Sequence, residues 1–211
     1  MKTLFWLLLF PLFLFSAESR TIVNLTLYHA DKVTTKIILS ALNSVGQRPN
    51  ISRFESLSDT IFLEMELQGT RPFDAQYFSE IVKENGVNVV KETYQKNKWI
   101  MELDGSSGHW NLSEITPDEG AQMEKSASPS WFIVNHSSAI TIEAPYGGKW
   151  YPDVAVFDAN MEVLVSLREF KSKERLSFSL PEGAVYMKVS SANGMKLLKE
   201  GTWIEHTAGE R

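Results

Sequence analysis

Thr60-Ile61-Phe62-Leu63-Glu64-Met65-Glu66-Leu67-Gln68 alternates apolar and polar residues along most of its length. Side chains two apart on a strand share a face. Ile61, Leu63, Met65 and Leu67 therefore turn toward a core, and Glu64, Glu66 and Gln68 turn away from it. The stretch reads as a strand with one buried and one open face.

The flanking residues extend this reading in both directions. Residues 21–29 alternate in the same way, with Val23, Leu25 and Leu27 on one face and Asn24 and Thr26 on the other. Asp31 then offers a helix cap. Val33, Ile37, Ile38, Ala41, Leu42 and Val45 follow at helical spacing, and Gly46 stops the helix. Residues 51–57 form a weaker strand, joined to the quoted one by a turn at Ser58-Asp59. Beyond it, Pro72 fits the first turn of a second helix, whose stripe is Phe73, Tyr77, Phe78, Ile81 and Val82 and whose end is Gly86. Residues 87–94 and 98–103 are two strands around the loop Gln95-Lys96-Asn97. The order is β-α-β-β-α-β plus one strand. Residues 20–103 are thus expected to form a ferredoxin-like α+β domain, with two helices on one face of an antiparallel sheet. Such a fold hosts many functions and identifies none.

Residues 104–130 change character. Eleven of these 27 residues are Gly, Ser or Pro and five are acidic, which reads as a linker. His109-Trp110-Asn111-Leu112 in its middle is suited to docking on a neighbouring domain. Residues 131–207 then show seven or eight short apolar alternations separated by turn residues such as Asn135-His136, Gly147-Gly148, Pro181-Glu182-Gly183 and Asn193-Gly194. That pattern predicts a small all-β sandwich, with residues 208–211 as a tail.

Within this second part, Asp153-Val154-Ala155-Val156-Phe157-Asp158-Ala159-Asn160 leads into Val163-Leu164-Val165. Leu176-Ser177-Phe178-Ser179-Leu180 leads into Pro181-Glu182-Gly183-Ala184-Val185-Tyr186-Met187-Lys188-Val189. This resembles the bacterial pre-peptidase C-terminal-like sandwich, in which a strand, an Asp-x-Asn/Asp-Gly hairpin, a paired strand and a Gly-aromatic-apolar strand follow one another. The resemblance covers residues 140–191. It departs at Met161, which stands where the family has Gly. It implies a non-catalytic accessory module of exported proteins, with no active site in this half.

The chain begins with Met1-Lys2, an apolar run of twelve residues from Leu4 to Phe15, and then Ser16-Ala17-Glu18-Ser19. A charged start, an apolar middle and a small-residue exit are the order of a secretory signal, here residues 1–19. Twelve helical residues span roughly 18 Å, short of the about 30 Å of bilayer hydrocarbon. The mature chain is expected in the periplasm or secreted, without a stable membrane span. It has no cysteine, so disulfides, thiol nucleophiles and cysteine-bound metals are excluded. A net charge of −5 without basic runs argues against nucleic acid as a partner.

Candidate chemistry is sparse. No two of His29, His109, His136 and His206 lie three to five residues apart, so the usual zinc spacing is missing. Ser106-Ser107-Gly108-His109 is the nearest approach to a serine hydrolase but falls in the expected linker. Asp153, Asp158 and Asn160 have oxygen ligands for calcium, although Asp158-Ala159-Asn160 is more simply a turn. No catalytic, cofactor-binding or metal-binding residue is assigned. Glu64 and Glu66 share one strand face, either as a solvated surface or as a carboxylate pair under a cleft. Tyr146, Trp150 and Tyr151 crowd a Gly/Pro-rich loop between two strands. They form a binding surface, or one of the latter two plugs the end of the sandwich.

The expected function is a non-catalytic periplasmic interaction or adaptor protein, acting through Tyr146, Trp150 and Tyr151 and the open sheet face near Glu64 and Glu66. Its partner is expected to be another envelope protein, or else a glycan. One alternative is a glycan- or peptidoglycan-binding protein using the same aromatics. A second is a hydrolase with a cleft lined by Glu64, Glu66 and a histidine.

Overall fold

The computed structural model describes residues 19–116, 119–123, 128–134, 137–145, 148–195, 198 and 201–207. Residues 1–18 of the expected signal, the turn at Asn135-His136, Tyr146, Gly147 and the tail lie outside the described residues.

The first half runs β1 (Ser19–Tyr28), α1 (Lys32–Ser44), β2 (Gln47–Leu57), β3 (Thr60–Gly69), α2 (Ala75–Glu84), β4 (Asn88–Gln95) and β5 (Lys98–Asp104). Both helices start at an aspartate whose carboxylate accepts an otherwise unpaired first-turn N–H. Asp31 takes the Thr34 N–H at 2.6 Å, and Asp74 takes that of Tyr77 at 3.0 Å. The second helix therefore begins after Phe73 and not at Pro72. Ser19, expected at the end of the signal, is the first residue of β1 and pairs with Gly69.

The five strands lie in the order β2-β3-β1-β5-β4. β3 is antiparallel to both β1 and β2, and β4 is antiparallel to β5. β5, however, runs parallel to β1, with Val23 opposite Trp99 and Leu25 opposite Met101. The sheet is therefore mixed, where a wholly antiparallel one was expected. The cause is the β4–β5 hairpin. Its two-residue turn, Lys96-Asn97, has both residues at positive φ (50° and 62°), the geometry that suits the twist of paired strands. The chain thus turns back between β4 and β1, and β4 takes the outer edge.

One face of this sheet carries both helices. Val23, Leu25 and Leu27 of β1, Leu63, Met65 and Leu67 of β3, and Met101 and Leu103 of β5 meet Ile37, Ile38, Ala41 and Leu42 of α1 and Phe78 and Val82 of α2 in one core. Among the described residues no helix lies on the other face. Leu27, Leu67 and Leu103 are wholly shielded from water, and each such side chain contributes about 1.5–3 kcal/mol by its burial.

The second half contains β6 (Ser113–Glu114), β7 (Ala121–Met123), β8 (Ser130–Ile133), β9 (Ala139–Glu143), β10 (Pro152–Phe157), β11 (Val163–Arg168), β12 (Arg175–Ser179), β13 (Tyr186–Ser191) and β14 (Thr202–His206). They form two sheets, β11-β10-β13-β8-β6 and β12-β9-β14-β7. Phe132, Val154, Val156, Met187 and Val189 of one sheet share a core with Ile140, Ile142, Leu176 and Ile204 of the other. The molecule is thus α+β and mostly strand. Residues 195–198 supply no described strand. Met195 lies in a short helical turn, and its carbonyl accepts the Leu198 N–H.

The stretch read as a linker is built into both halves. The His109 N–H bonds the Asn85 carbonyl at the end of α2, and the Asn111 N–H bonds the Asn85 side chain. Gly86 sits at φ 72°, and a Cβ there would run into the Ser107 carbonyl, so the chain passes too close for any larger residue. Ile115 is fully buried in the sandwich core, β6 pairs with β8, and β7 pairs with β14.

The two halves also touch directly. Trp110 and Met161 are buried among residues of the first core, and Trp131, Phe157 and Tyr186 pack against it from the sandwich. An ion pair between Lys32 and Glu162 borders the contact.

Candidate binding face

β3 projects Phe62, Glu64 and Glu66 from the face opposite the helices, and the strand register aligns them in rows. One row across the sheet is Arg53, Glu64, Asn24, Ile100 and Thr93. The next is Glu55, Phe62, Thr26, Glu102 and Lys91. A concavity of about 460 Å³ opens over these rows, lined on its open side by Asn24, Thr26, Arg53, Glu55, Leu57, Phe62, Glu64 and Ile100.

The charges of this face are largely matched. Arg20 meets Glu66 at 3.6 Å, Arg53 meets Glu55 at 2.7 Å, and Lys91 meets Glu102 at 3.3 Å. Glu64 has no ion-pair partner among the described residues. Beside it, the Asn24 side-chain oxygen is buried without a hydrogen-bond donor among the described residues. The face thus offers a carboxylate and an unsatisfied acceptor between Phe62 and Ile100. The Asn24 oxygen calls for a donor from outside, because a buried polar atom without a partner costs about 1–3 kcal/mol, whereas the exposed Glu64 carboxylate is solvated and free to meet a cation.

The edge of the same sheet is apolar. Phe54 and Leu57 of β2 are more than half exposed, and Ile51 is 41% exposed. Among the described residues β2 has no neighbour on its outer side. Pro49 and a bulge between Ile51 and Arg53 blunt the first part of that edge, leaving residues 53–57 open to pairing.

The sequence-derived residues separate in space. Glu64 lines the concavity, whereas Glu66, His29, His109 and His206 are not among its described lining residues. Trp150, read either as part of a binding surface or as a plug at the end of the sandwich, is 1% exposed and packs in the sandwich core. It is buried because its backbone bridges to Lys173, with both N–H···O bonds made at 2.8–3.0 Å, and this turns the indole inward. Tyr151 remains partly exposed, and Tyr146 lies outside the described residues.

Asp158 uses its carboxylate on the backbone N–H groups of Asn160 and Glu162, as a turn residue does. Among the described residues no cluster of three metal-ligating side chains occurs, and no helix is long and apolar enough to cross a membrane.

A second polar cluster sits at the sheet end. His29 Nδ1 lies 2.9 Å from Asp104, and its Nε2 lies 4.0 Å from Asp59. The hydrogen bond to Asp104 raises His29 above its ordinary 6.5. Asp104 is held below its ordinary 3.8, chiefly by the Ser106 backbone N–H and then by His29. Ser106 Oγ donates to Asp104 and not to the imidazole. The carboxylate therefore sits between serine and histidine, and the histidine is not placed to activate that hydroxyl.

Set against family models, curated proteins and solved structures, the chain matches none of them.

Proposed function

We propose that this chain is a non-catalytic interaction protein of the bacterial envelope and binds its partner on the open face and β2 edge of the first sheet. The observation that supports this is the set of exposed apolar residues on an edge strand: Leu57 lies beside the concavity that holds Glu64 and the unsatisfied Asn24 oxygen, and Ile51 and Phe54 project from the other side of the same strand. Exposed apolar residues on a sheet edge are the ordinary means of capturing an extended peptide by strand addition. The partner that fits is an extended protein segment. Its backbone would pair along residues 53–57, its alternate apolar side chains would cover Leu57 and Phe62 on the open face and Phe54 on the other, and a basic residue would meet Glu64. We read the first half as a ferredoxin-like domain enlarged by a strand inserted beside β1, and the second as an accessory sandwich similar to the pre-peptidase C-terminal-like modules. Residues 1–19 are read as the export signal that brings the protein to its partner.

The test is site-specific photo-crosslinking in cells, with the photoreactive residue at position 57 or, as a control, at Glu84 on α2. A discrete adduct from position 57, absent at position 84 and lost when Phe54 is replaced by Asp, is the expected result. Equal labelling at both positions, or an adduct indifferent to Phe54→Asp, overturns the reading.

A further inference from the structure

α1 has two distinct faces. Val33, Thr34, Ile37, Ile38, Ala41 and Leu42 are buried against the sheet. Lys36, Leu39, Ser40, Asn43 and Ser44, spaced one helical turn apart, form the opposite stripe. This second stripe faces the sandwich across a cleft of about 660 Å³, whose far wall includes Trp110, Trp131 and Lys188. The volume lies in the range of small-molecule sites, about 300–1,000 Å³, and such sites favour boundaries between folded units.

The chemistry of the lining is selective. Lys36 Nζ stands 5.8 Å above the centre of the Trp131 ring. Lys188 is the direct cross-strand neighbour of Trp131, so its side chain leaves the sheet on the same side. Two lysines thus border the cleft beside one indole. Neither has a carboxylate within ion-pair distance among the described residues, and the described residues of the lining include no acidic one. In a chain of net charge −5, this is a local concentration of positive charge. The Ser40 hydroxyl and the Asn43 amide have no hydrogen-bond partner among the described residues, whereas Ser44 Oγ is spent on the Ser40 carbonyl.

We propose that this cleft is a binding site for an acidic saccharide of one or two rings. Lys36 and Lys188 take its carboxylate or phosphate, Ser40 and Asn43 take ring hydroxyls, and the indoles of Trp110 and Trp131 form the apolar wall. The site is separate from the β2 edge and stands or falls independently of the proposed partner there.

The experiment is calorimetric titration of the mature chain, supported by tryptophan fluorescence. Four probes are used: a glucuronic acid–N-acetylglucosamine disaccharide, glucose 6-phosphate, neutral di-N-acetylchitobiose and inorganic phosphate. At least one of the two acidic sugars should bind at least tenfold tighter than the neutral disaccharide and inorganic phosphate. Its affinity should fall with added salt, by tenfold or more in Lys188→Gln, and measurably in Ser40→Ala. The carboxylate and phosphate sugars show which acid group is preferred. Circular dichroism confirms that the variants remain folded. No binding of either acidic sugar, equal binding of the neutral one, phosphate alone binding as tightly as the sugars, or affinity unchanged in Lys36→Gln/Lys188→Gln overturns the proposal.

Discussion

The indole rings of Trp110 and Trp131 lie 4.9 Å apart, centre to centre, at 43°, and form the joint between the two halves of the molecule. Trp110 arrives from the connecting stretch and is buried against the helix-covered core, while Trp131 is the second residue of β8 in the sandwich. A tilted aromatic pair adds about 0.5–1.5 kcal/mol to the area it buries.

Trp110→Ala should therefore cost about 3–5 kcal/mol and uncouple the halves. Urea denaturation should replace a single transition with two. Limited proteolysis should then cut within residues 104–112, which are held in the wild type by the Asn85 hydrogen bonds. A variant that still unfolds in one step at the wild-type midpoint would show that the joint does not couple the two cores.

Met161 yields a prediction of unusual sign. It sits at φ 60°, a left-handed conformation that favours glycine, yet its side chain is buried in the first core. Truncation to either Ala or Gly loses that side chain, at about 2–5 kcal/mol. Only Gly also relieves the backbone, by about 1–2 kcal/mol. Met161→Gly should therefore be more stable than Met161→Ala, and both less stable than wild type, as read from urea midpoints. This is the position at which the resemblance to the pre-peptidase modules departs from Gly, and the buried side chain supplies a physical reason for Met here.

Trp150 is a core residue in this structure, and its indole N–H is buried without an acceptor. Trp150→Ala should cost about 3–5 kcal/mol and destabilise the sandwich as a whole. Trp150→Phe removes the unsatisfied donor, which offsets part of the smaller ring's lost contact. It should remain within about 1.5 kcal/mol of wild type by thermal melting. A Trp150→Ala protein as stable as wild type would return the residue to the surface.

What the sequence could reveal depended on how far the relevant physics reaches along the chain. Alternation in β3 and the cap at Asp31 are local, and both are present where the pattern puts them. The parallel pairing of β5 with β1 is not local, because no periodicity states which neighbour a strand will take. β6 and β7 are two and three residues long, too short to show a period, and their Gly- and Ser-rich surroundings read as linker. The cleft was hidden for a different reason. Lys36, Ser40 and Asn43 look like an ordinary solvated helix face until Trp131 and Lys188, about a hundred residues or more away in sequence, close over them. Trp150 stood between surface and core because a Gly/Pro-rich loop suggests exposure, and only the bridge to Lys173 turns the ring inward.

The His29–Asp104 pair makes stability depend on pH in two directions. His29 is raised above 6.5 in the folded protein. Its contribution is complete below 6.5 and is lost as pH rises through the folded value. Asp104 is lowered below 3.8, so its contribution is complete above 3.8 and is lost as pH falls through the folded value. Both are present together between about pH 4 and 6.5. Asp104→Asn should remove both slopes. It should also return the His29 imidazole, followed by its proton NMR shift, to a midpoint nearer 6.5. The pair is exposed to solvent, so salt should flatten the wild-type profile toward that of the variant. A His29 midpoint at or below 6.5 in the wild type, or one unmoved by Asp104→Asn, would mean that the imidazole does not draw its proton affinity from this carboxylate.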